Sequence, residues 1–400
     1  MLESQINRFL SLPEVKITRK RNKDHHIIEF EAHKFSNFEV CPKCATKCFK
    51  VYDHVYVNIK DTPIRDKTVY LKIKKRRFRC TNCKSVFREP IIGIKKGYKS
   101  TRRFRTHIRW CASNFSNLKR VKEKCRCSSW LVYKAYYEQL ELEVRKLNYP
   151  WPKTIGIDEH SFVRNTKDHY KEFATVFVDF NNNRVRELAL GRSIESLSNS
   201  RVMDIRGREN VKNVVIDMSS TFKKFTRDNF PNATITVDKF HVIKLFNHKL
   251  NIIRSSVMKH PLFLKSRKSP MRRLYLRNRS RLDFSQRSVV DHINNLFPEL
   301  EEIYQFKEMM ISIYNTRGYK RAIKAFTKLT DAMALSGRKP VQSLRKTLVK
   351  WRKEILNYFR TGITNGKTEG YNRKAKLIQR QAYGYRNFEN YRLKSIYDCR

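Results

Sequence analysis

The sequence lacks long apolar runs and is poor in acidic residues. No stretch of about 18 apolar residues could span a bilayer, and no apolar signal segment follows Met1, so we expect a cytoplasmic protein without a membrane segment. Asp and Glu number 37 against 87 Lys and Arg, which leaves a net charge of +50 over 400 residues. A basic excess of this size predicts a polyanionic partner, and extended nucleic acid is favoured over a membrane surface.

Aromatic residues are abundant, which excludes a disordered basic tail. The chain contains 25 Phe and 19 Tyr, and 40% of its residues are apolar. A chain of this length can bury a sizeable core, and its length predicts two or three domains.

The nine cysteines fall into two groups. Five follow no regular spacing, and the others form two CxxC pairs: Cys41, Cys44, Cys80 and Cys83. Two such pairs beside the strand-like segment Val69–Cys80 predict a zinc ribbon, in which four thiolates bind one structural Zn²⁺. Residues 45–79 are more than a minimal ribbon needs and require an inserted hairpin. Cys48 is expected to be a neighbour of the site. Without a secretory signal, metal ligation in a reducing cytoplasm is favoured over disulfides.

Residues 96–150 predict a helix-turn-helix domain. The apolar residues of the first two helices recur at helical spacing: Phe104, Ile108, Cys111, Leu118 and Val121. Ser128 is a suitable N-cap for a third helix, which must end before Pro150. Such an arrangement is typical of domains that place the last helix in the DNA major groove, although many three-helix units serve only for packing.

The segment from Thr154 onward is rich in strands. Three runs separated by turn residues predict an antiparallel meander at 154–157, 173–180 and 184–191. A helix, a continuously apolar strand before Asp217, a helix capped by Ser220 and a fifth strand before Asp238 follow. This is the element order of the ribonuclease H fold, in which the fourth strand lies parallel to and beside the first. Asp158 and Asp217 are therefore expected to be neighbours.

Three acidic stretches are expected to meet in the folded protein. They are TIGIDEHSF around Asp158, VVIDMSS around Asp217 and TNGKTEGYNRKAK around Glu369. Carboxylates gathered from distant parts of a basic chain predict a site for hard divalent cations, two Mg²⁺ or Mn²⁺, beside phosphate oxygens. Alternation along the first strand places Asp158 and Glu159 on opposite faces, so only Asp158 of this pair is expected to reach the site.

Residues 241–355 are predicted to be helical throughout. Apolar stripes at helical spacing mark two core faces: Ile303, Phe306, Met310 and Ile313, and Leu344, Leu348, Trp351 and Ile355. Trp351 is expected in the core rather than stacked on a DNA base. Positive residues within 265–281 predict a phosphate-binding track: Lys265, Arg267, Lys268, Arg272, Arg273, Arg277, Arg279 and Arg281.

Glu369 lies in a predicted helix that Thr364 is expected to cap. One face of this helix carries Asn365, Glu369, Asn372, Arg373 and Lys376. Taken alone, such a carboxylate could as well form a surface ion pair. The two strand aspartates need a third ligand, which favours the metal-binding interpretation, and Arg373 and Lys376 are candidates for DNA contacts. The closing segment YGYRNFENYR is expected to pack on the core, with Arg386 and Arg392 available for DNA.

The chain resembles the DDE transposases of bacterial insertion sequences, specifically the ISL-three group. The resemblance covers nearly the whole chain in order: the ribbon Cys41–Cys83, IGIDEHSF, VVIDMSS, FPNATITVDKFHVIK and NYFRTGITNGKTEGYNRKAKLIQRQAYGYRNFENYR. It implies a ribonuclease H-like α/β core, with a mixed five-stranded sheet and helices, interrupted by an all-α insertion. The implied domains are a zinc ribbon (1–95), a helix-turn-helix domain (96–150), the first part of the core (151–240), the insertion (241–355) and the C-terminal core helices (356–400).

The resemblance also implies the catalytic residues, with Asp158, Asp217 and Glu369 as the triad. Asp238 and His241 form a D-x-x-H motif after the fifth strand. The fold places the metal-binding aspartate at the end of the fourth strand, so Asp217 is preferred. The groups expected to support the site are Asp238, His241, Asn365 and Asn372.

The expected activity is metal-dependent cleavage of double-stranded DNA at terminal inverted repeats, followed by strand transfer into target DNA. Two ends must be joined, so the protein is expected to be at least a dimer on DNA, close to the bacterial nucleoid. Two other functions are considered. A DNA-binding regulator without catalysis would have been indicated by an altered triad, and a nuclease without strand transfer is not excluded by the triad alone.

Overall fold

The computed structural model describes residues 12–115, 117–164, 171–257 and 271–400. They form two compact units, divided between Arg145 and Lys146. The predicted phosphate-track residues Lys265, Arg267 and Lys268 lie outside the described residues.

The first unit contains a five-stranded sheet with a long hairpin. Its strands are β1 (Val15–Asp24), β2 (Ile27–Lys34), β5 (Val51–Ile64), β6 (Lys67–Arg79) and β7 (Val86–Arg88). They are ordered β1-β2-β6-β5, with β7 also paired to β6. Strands β2 and β6 are parallel, whereas β5 and β6 form an antiparallel hairpin. This hairpin is the insertion predicted between the two CxxC pairs. A second small hairpin joins β3 (Glu39–Val40) to β4 (Lys47–Cys48).

The described part of the first unit continues, after the sheet, with three helices: α1 (Arg102–Asn114), α2 (Leu118–Cys125) and α3 (Ser129–Arg145). The hydroxyl of Ser128 accepts a hydrogen bond from the backbone N–H of Leu131 at 3.2 Å, as predicted for the cap of the third helix. Phe104, Ile108 and Val121 are fully buried. The predicted helical spacing in this region is therefore confirmed.

The second unit is built on a mixed five-stranded sheet. Its strands are β8 (Thr154–Arg164), β9 (Lys171–Asp179), β10 (Arg184–Leu190), β11 (Asn213–Ile216) and β12 (Thr234–Val237). Their order is β10-β9-β8-β11-β12. The first three are antiparallel, and β11 lies parallel to both β8 and β12. The predicted meander, and the fourth strand beside the first, are both present.

Short helices flank these strands. They are α4 (Ile194–Ser198) and α5 (Ser220–Asn229). The predicted cap of α5 is wrong by one residue, because Ser219 rather than Ser220 accepts a hydrogen bond from Phe222 N at 3.4 Å. Ser219 has the extended backbone that an N-cap requires, whereas Ser220 is the first helical residue.

The described residues after β12 form helices and the turns that connect them, without a strand. The helices include α6 (Lys239–Val257), α7 (Met271–Leu276), α8 (Phe284–Leu296), α9 (Pro298–Asn315), α10 (Tyr319–Ala334), α11 (Lys339–Lys350), α12 (Arg352–Leu356) and α13 (Tyr358–Thr361). Both predicted apolar stripes are buried, and Trp351 is only 3% exposed, which excludes stacking on a DNA base. Among the described residues, no helix is long and apolar enough to cross a membrane.

The last two helices return to the sheet. Helix α14 (Gly366–Gln381) packs on β8 and β9, and α15 (Phe388–Asp398) packs on β10. The predicted DNA contact of Arg392 is wrong: its side chain is buried and pairs with Glu187 of β10 and with Glu389. A buried carboxylate such as Glu187 requires a cation, and Arg392 supplies it. Arg386 is exposed, as expected.

The contact between β8 and α14 requires glycine at position 156. A Cβ atom there would lie 2.0 Å from the hydroxyl oxygen of Thr368 on α14 and 2.6 Å from the Phe180 ring. Because Thr368 is fully buried, neither group can move without disturbing the packing of the helix.

We therefore expect Gly156→Ala to destabilise the second unit by about 1–3 kcal/mol, the usual cost of overpacking a core. Equilibrium urea unfolding measures this difference. Gly370→Ala on α14 is the matched control, because a Cβ there meets nothing within 4 Å. Replacing a glycine in a helix by alanine should stabilise the protein by about 0.5–1 kcal/mol. Equal stability of the two variants would contradict the close approach of α14.

Candidate active site

Asp158 and Asp217 lie at one end of the parallel part of the sheet. Strand β11 ends at Ile216, so Asp217 is the next residue, and the last pairing of β11 with β8 is Val215 with Gly156. One carboxylate oxygen from each of Asp158, Glu159 and Asp217 lies within 4.8 Å of the other two. The predicted meeting of Asp158 and Asp217 is thus observed.

Glu159 also belongs to this group, contrary to the prediction that only Asp158 would reach it. Alternation does place the two residues on opposite faces of β8. However, the described pairing of β11 with β8 ends at Gly156, and an oxygen of the longer Glu159 side chain still lies within 4.8 Å of one of Asp217. Arg192 lies 3.6 Å from the Glu159 carboxylate.

Burial raises the pKa of each of the three carboxyl groups and is the largest cause for each. Repulsion from a neighbouring carboxylate adds to it for Glu159 and for Asp217. The pKa of Glu159 is raised to about 7 by burial, then by Asp217 and Asp158. Burial and the Asp158 charge also raise the pKa of Asp217. A cation held between these groups would remove the repulsion.

Asp217 offers a free ligand atom. Its Oδ1 is buried and has no hydrogen-bond partner among the described residues, while the backbone N–H of Ser219 donates to its carboxylate. An unsatisfied buried carboxylate oxygen is costly. Three hard oxygen donors with one orphaned atom fit a divalent cation such as Mg²⁺ or Mn²⁺.

Asp158 is held by a chain of hydrogen bonds that ends at Tyr391. Its oxygens accept from the backbone N–H of Glu159 at 2.8 Å and from Asn372 Nδ2 at 2.6 Å. Asn372 Oδ1 lies 3.0 Å from His160 Nδ1, and His160 Nε2 lies 2.6 Å from the hydroxyl of Tyr391.

The direction of each hydrogen bond in this chain is set by the Asp158 carboxylate. Asp158 can only accept, so Asn372 turns its amide nitrogen toward it and its oxygen toward His160. The imidazole therefore donates from Nδ1 and accepts at Nε2 from the Tyr391 hydroxyl. Burial lowers the pKa of His160 to about 4, which keeps it neutral. His160 and Tyr391 were not among the predicted site residues. The only sequence signal was that His160 lies two residues after Asp158, on the same strand face.

The residues predicted to share one face of helix α14 are divided between a buried face and an exposed face. Asn365, Thr368, Asn372 and Ala375 form its buried face, whereas Glu369 and Arg373 are exposed. The Glu369 side chain is 50% exposed and accepts from Arg373 at 2.6 Å. Glu369 is not part of the carboxylate group defined above. The predicted cap is also wrong, since the helix begins after Asn365 and not after Thr364.

Asp238 follows β12 at the same end of the sheet. It is 3% exposed, and its oxygens accept from the backbone N–H of Asn365 at 3.3 Å and meet His241 Nδ1 at 3.1 Å. The hydrogen bond to Asp238 raises the pKa of His241, and the charges of Asp217 and Asp158 contribute. In its protonated form His241 places positive charge beside the carboxylate group.

The predicted DNA-contact residues lie in different settings. Arg273, Arg277 and Lys376 are exposed, and the charge of Lys376 lowers the pKa of Asp158. Arg279 pairs with Asp291 at 2.5 Å. The side chain of Arg272 lies outside the described residues, and Arg373 is held by Glu369 as above.

The four ribbon cysteines form a second ligand group. The sulfur atoms of Cys41, Cys44, Cys80 and Cys83 all lie within 4.8 Å of one another, with Cys41–Cys83 at 3.6 Å and Cys44–Cys80 at 3.4 Å. The hydroxyl of Thr46 lowers the pKa of Cys44 to about 6. This arrangement fits one structural Zn²⁺. Cys48 lies outside the group, as predicted.

We expect Mg²⁺ to stabilise the protein more at about pH 8 than at about pH 6. The pKa of Glu159 is about 7 in the folded protein, against an ordinary value of 4.5. Between pH 4.5 and pH 7 the folded protein therefore holds one more proton at this residue than the unfolded chain. The stability of the metal-free protein therefore falls as pH rises through this window, and the cation, which binds the deprotonated groups, has more to relieve. The melting temperature with and without Mg²⁺ measures both effects. Glu159→Gln should flatten the metal-free dependence; an unchanged slope would contradict the shifted pKa.

Asn372→Leu should weaken Mg²⁺ binding by about tenfold, because groups that orient a ligand typically contribute that much to metal affinity. Leucine removes both the donor to Asp158 and the acceptor for His160. Thermal-shift titration with Mg²⁺ measures the affinity. Lys374→Leu, at an exposed position of the same helix, should leave it unchanged. An equal effect of both variants would argue against the hydrogen-bond chain.

Comparison with known proteins assigns the family. A transposase family profile of the ISL3 type matches residues 155–395, which is more than half of the chain. A profile described as the zinc-finger of transposase IS204/IS1001/IS1096/IS1165 matches residues 38–83. The transposase for insertion sequence element IS1001 from Bordetella parapertussis is 22% identical over 360 residues, covering 89% of this chain and 87% of that protein. The chain therefore belongs to the ISL3 (ISL-three) group of DDE transposases and carries the zinc ribbon of that group in its N-terminal part.

Proposed function

We propose that this transposase cuts and joins DNA at the site formed by Asp158 and Asp217, with Glu369 as the third carboxylate. The observation that carries the proposal is the pair of aspartates on adjacent parallel strands, with their oxygens within 4.8 Å and Asp217 Oδ1 unpartnered among the described residues. The fold supports it, because three antiparallel strands followed by two parallel ones in the order β10-β9-β8-β11-β12 are what a ribonuclease H-like core would have.

The residues of the chain hold the reacting groups in place. Two Mg²⁺ or Mn²⁺, when bound, would activate the attacking oxygen and neutralise charge on the phosphate. Asn372 and the Glu159 backbone fix the carboxylate of Asp158, and the Ser219 backbone fixes that of Asp217. In the first step water attacks the phosphate at the element end and displaces the 3′-oxygen, which leaves as a 3′-hydroxyl. In the second step that hydroxyl attacks a phosphate of target DNA, forms the new P–O bond and displaces the 3′-oxygen of the target strand.

Glu369 would join the site by leaving Arg373. This ion pair is exposed and between residues four apart on a helix, so it contributes only a few tenths of a kcal/mol. A divalent cation beside Asp158 and Asp217 competes easily with such a partner. Arg373 is then free to contact a DNA phosphate. Glu159 is the rival third ligand, because it already lies in the carboxylate group.

Exposed side chains on the helices of the first unit support the proposal that these helices bind DNA as a helix-turn-helix. Trp130 and Tyr133 on α3 are 64% and 47% exposed, and Lys134 lies over the Trp130 ring. Exposed aromatic and basic side chains on one helix are unfavourable in water and suit contact with DNA. We assign recognition of the terminal inverted repeats to this helix and the zinc ribbon. Arg273 and Arg277 of the insertion would contact phosphates, and a dimer or larger assembly would hold two ends together.

The test is cleavage of a duplex that carries the element's own ends, in Mg²⁺ and then in Ca²⁺. We expect Asp158→Asn, Asp217→Asn and Glu369→Gln each to lower the nicking rate by at least about 100-fold, as loss of transition-state charge stabilisation does. End binding, measured by gel shift, should persist in all three. A paired-end strand-transfer assay with the wild-type protein separates a transposase from a simple nuclease.

Two control variants decide between neighbouring residues. Glu159→Gln should keep nicking within about tenfold of the wild-type rate. If it abolishes nicking while Glu369→Gln does not, Glu159 is the third ligand. If Asp238→Asn abolishes nicking and Asp217→Asn does not, the second catalytic aspartate is Asp238. Wild-type protein that binds ends but never nicks in Mg²⁺ would indicate a DNA-binding regulator.

A further inference from the structure

A third group of metal-ligating side chains lies among the helices of the first unit. His107 and Cys111 are four residues apart on α1, and Cys125 is the last residue of α2. Their ligand atoms all lie within 4.8 Å of one another, with His107 Nε2 at 3.6 Å from Cys111 Sγ. Residues four apart on a helix share a face, so both can meet one ion. The irregular sequence spacing of these cysteines had concealed the group.

The dimensions fit zinc. With Zn–S near 2.3 Å and Zn–N near 2.0–2.1 Å, tetrahedral geometry places a sulfur and a nitrogen ligand about 3.6 Å apart. The ribbon sulfurs show comparable spacings of 3.4 and 3.6 Å. Cys111 and Cys125 are 1% exposed, and none of the nine cysteines is in a disulfide. Cys127 lies two residues after Cys125 and outside the group of three, so its side chain would turn toward the ion to serve as the fourth ligand.

A buried lysine beside the group is an independent indication of negative charge there. Lys60 of β5 is 9% exposed, and its ammonium group donates to the backbone carbonyl of Arg126, between Cys125 and Cys127. Burial lowers the pKa of Lys60, and the nearby thiols of Cys127 and Cys125 oppose that shift. The adjacent carboxylate, Asp61, is already held by Arg103 and Thr101. Neutral thiols would leave a buried ammonium uncompensated, whereas zinc-bound thiolates would balance it.

We propose that His107, Cys111, Cys125 and Cys127 bind a second structural zinc ion, which fixes the corner between α1 and α2. Binding releases the thiol protons and gives the site a net charge of about −1. Lys60 carries the opposite charge. The ion would set the position of α2 and of the turn that leads into α3, so the helix assigned to DNA reading would depend on it.

The test is the zinc content of the full-length protein, measured by mass spectrometry of the metal after gel filtration. We expect about two zinc ions per chain, where a ribbon alone would give about one. Cys125→Ser should lower the content to about one, and Cys83→Ser, in the ribbon, should do the same. Cys399→Ser is the matched control, since Cys399 is an equally buried thiol of the second unit that belongs to no ligand group among the described residues.

A zinc content of one ion per chain in the wild-type protein would overturn the proposal, even if a variant fails to fold. Loss of that ion in Cys83→Ser and its retention in Cys125→Ser would show that it belongs to the ribbon and that the second group consists of ordinary buried thiols. A disulfide between Cys111 and Cys125, detected by mass after alkylation without reduction, would also exclude it. The zinc content of Asp217→Asn should equal that of the wild type; a lower value would place the second ion in the carboxylate site instead.

Discussion

The close contact of α14 with one face of β8 is the constraint on which the candidate site depends. Alternate positions on that face hold Gly156, Asp158 and His160. They contact Thr368 and Asn372 of α14. Glycine lets the helix approach, and the approach brings the Asn372 amide within hydrogen-bond distance of both Asp158 and His160. The side-chain amide of one residue thereby sets the orientation of a carboxylate and the tautomer of a histidine. Helix α15 adds Tyr391 and closes the chain of donors.

The second constraint is the close placement of ionisable metal ligands of the same charge. A chain with net charge +50 places one oxygen from each of three carboxylates within 4.8 Å of one another, where burial raises the pKa of each and repulsion adds to it for Glu159 and Asp217. The arrangement costs stability in the metal-free protein and is relieved by a divalent cation. The ribbon follows the same logic with thiols. In both cases the fold brings like-charged ligands together, and the stability of that arrangement depends on an ion.

Much of this could be predicted from the sequence because it rests on local periodicity. Alternating and continuous apolar runs predicted the five strands, and their order placed Asp158 beside Asp217. The CxxC pairs predicted the ribbon. The Tyr391–His160 hydrogen bond, in contrast, joins residues 231 positions apart and follows from how α15 packs on the sheet. Glu159 was misplaced because alternation describes where a Cβ points and not where a longer side chain ends. Arg392 was misplaced because only the fold shows that Glu187 is buried beneath it.

The exposed ion pair between Glu369 and Arg373 is compatible with a catalytic role for Glu369. Asn372 is held between Asp158 and His160, and Oδ1 of the half-buried Asp217 is enclosed, so both positions are largely fixed before substrate binds. Glu369 is half exposed, and its partner Arg373 is 75% exposed. An exposed pair is weak and exchanges quickly. On the proposed assignment, two ligands are preorganised by the sheet and the third is recruited from solvent. Metal binding, release of Arg373 and contact with the DNA backbone are then coupled. The metal ion replaces Arg373 as the cation beside Glu369, and a DNA phosphate replaces Glu369 as the anion beside Arg373.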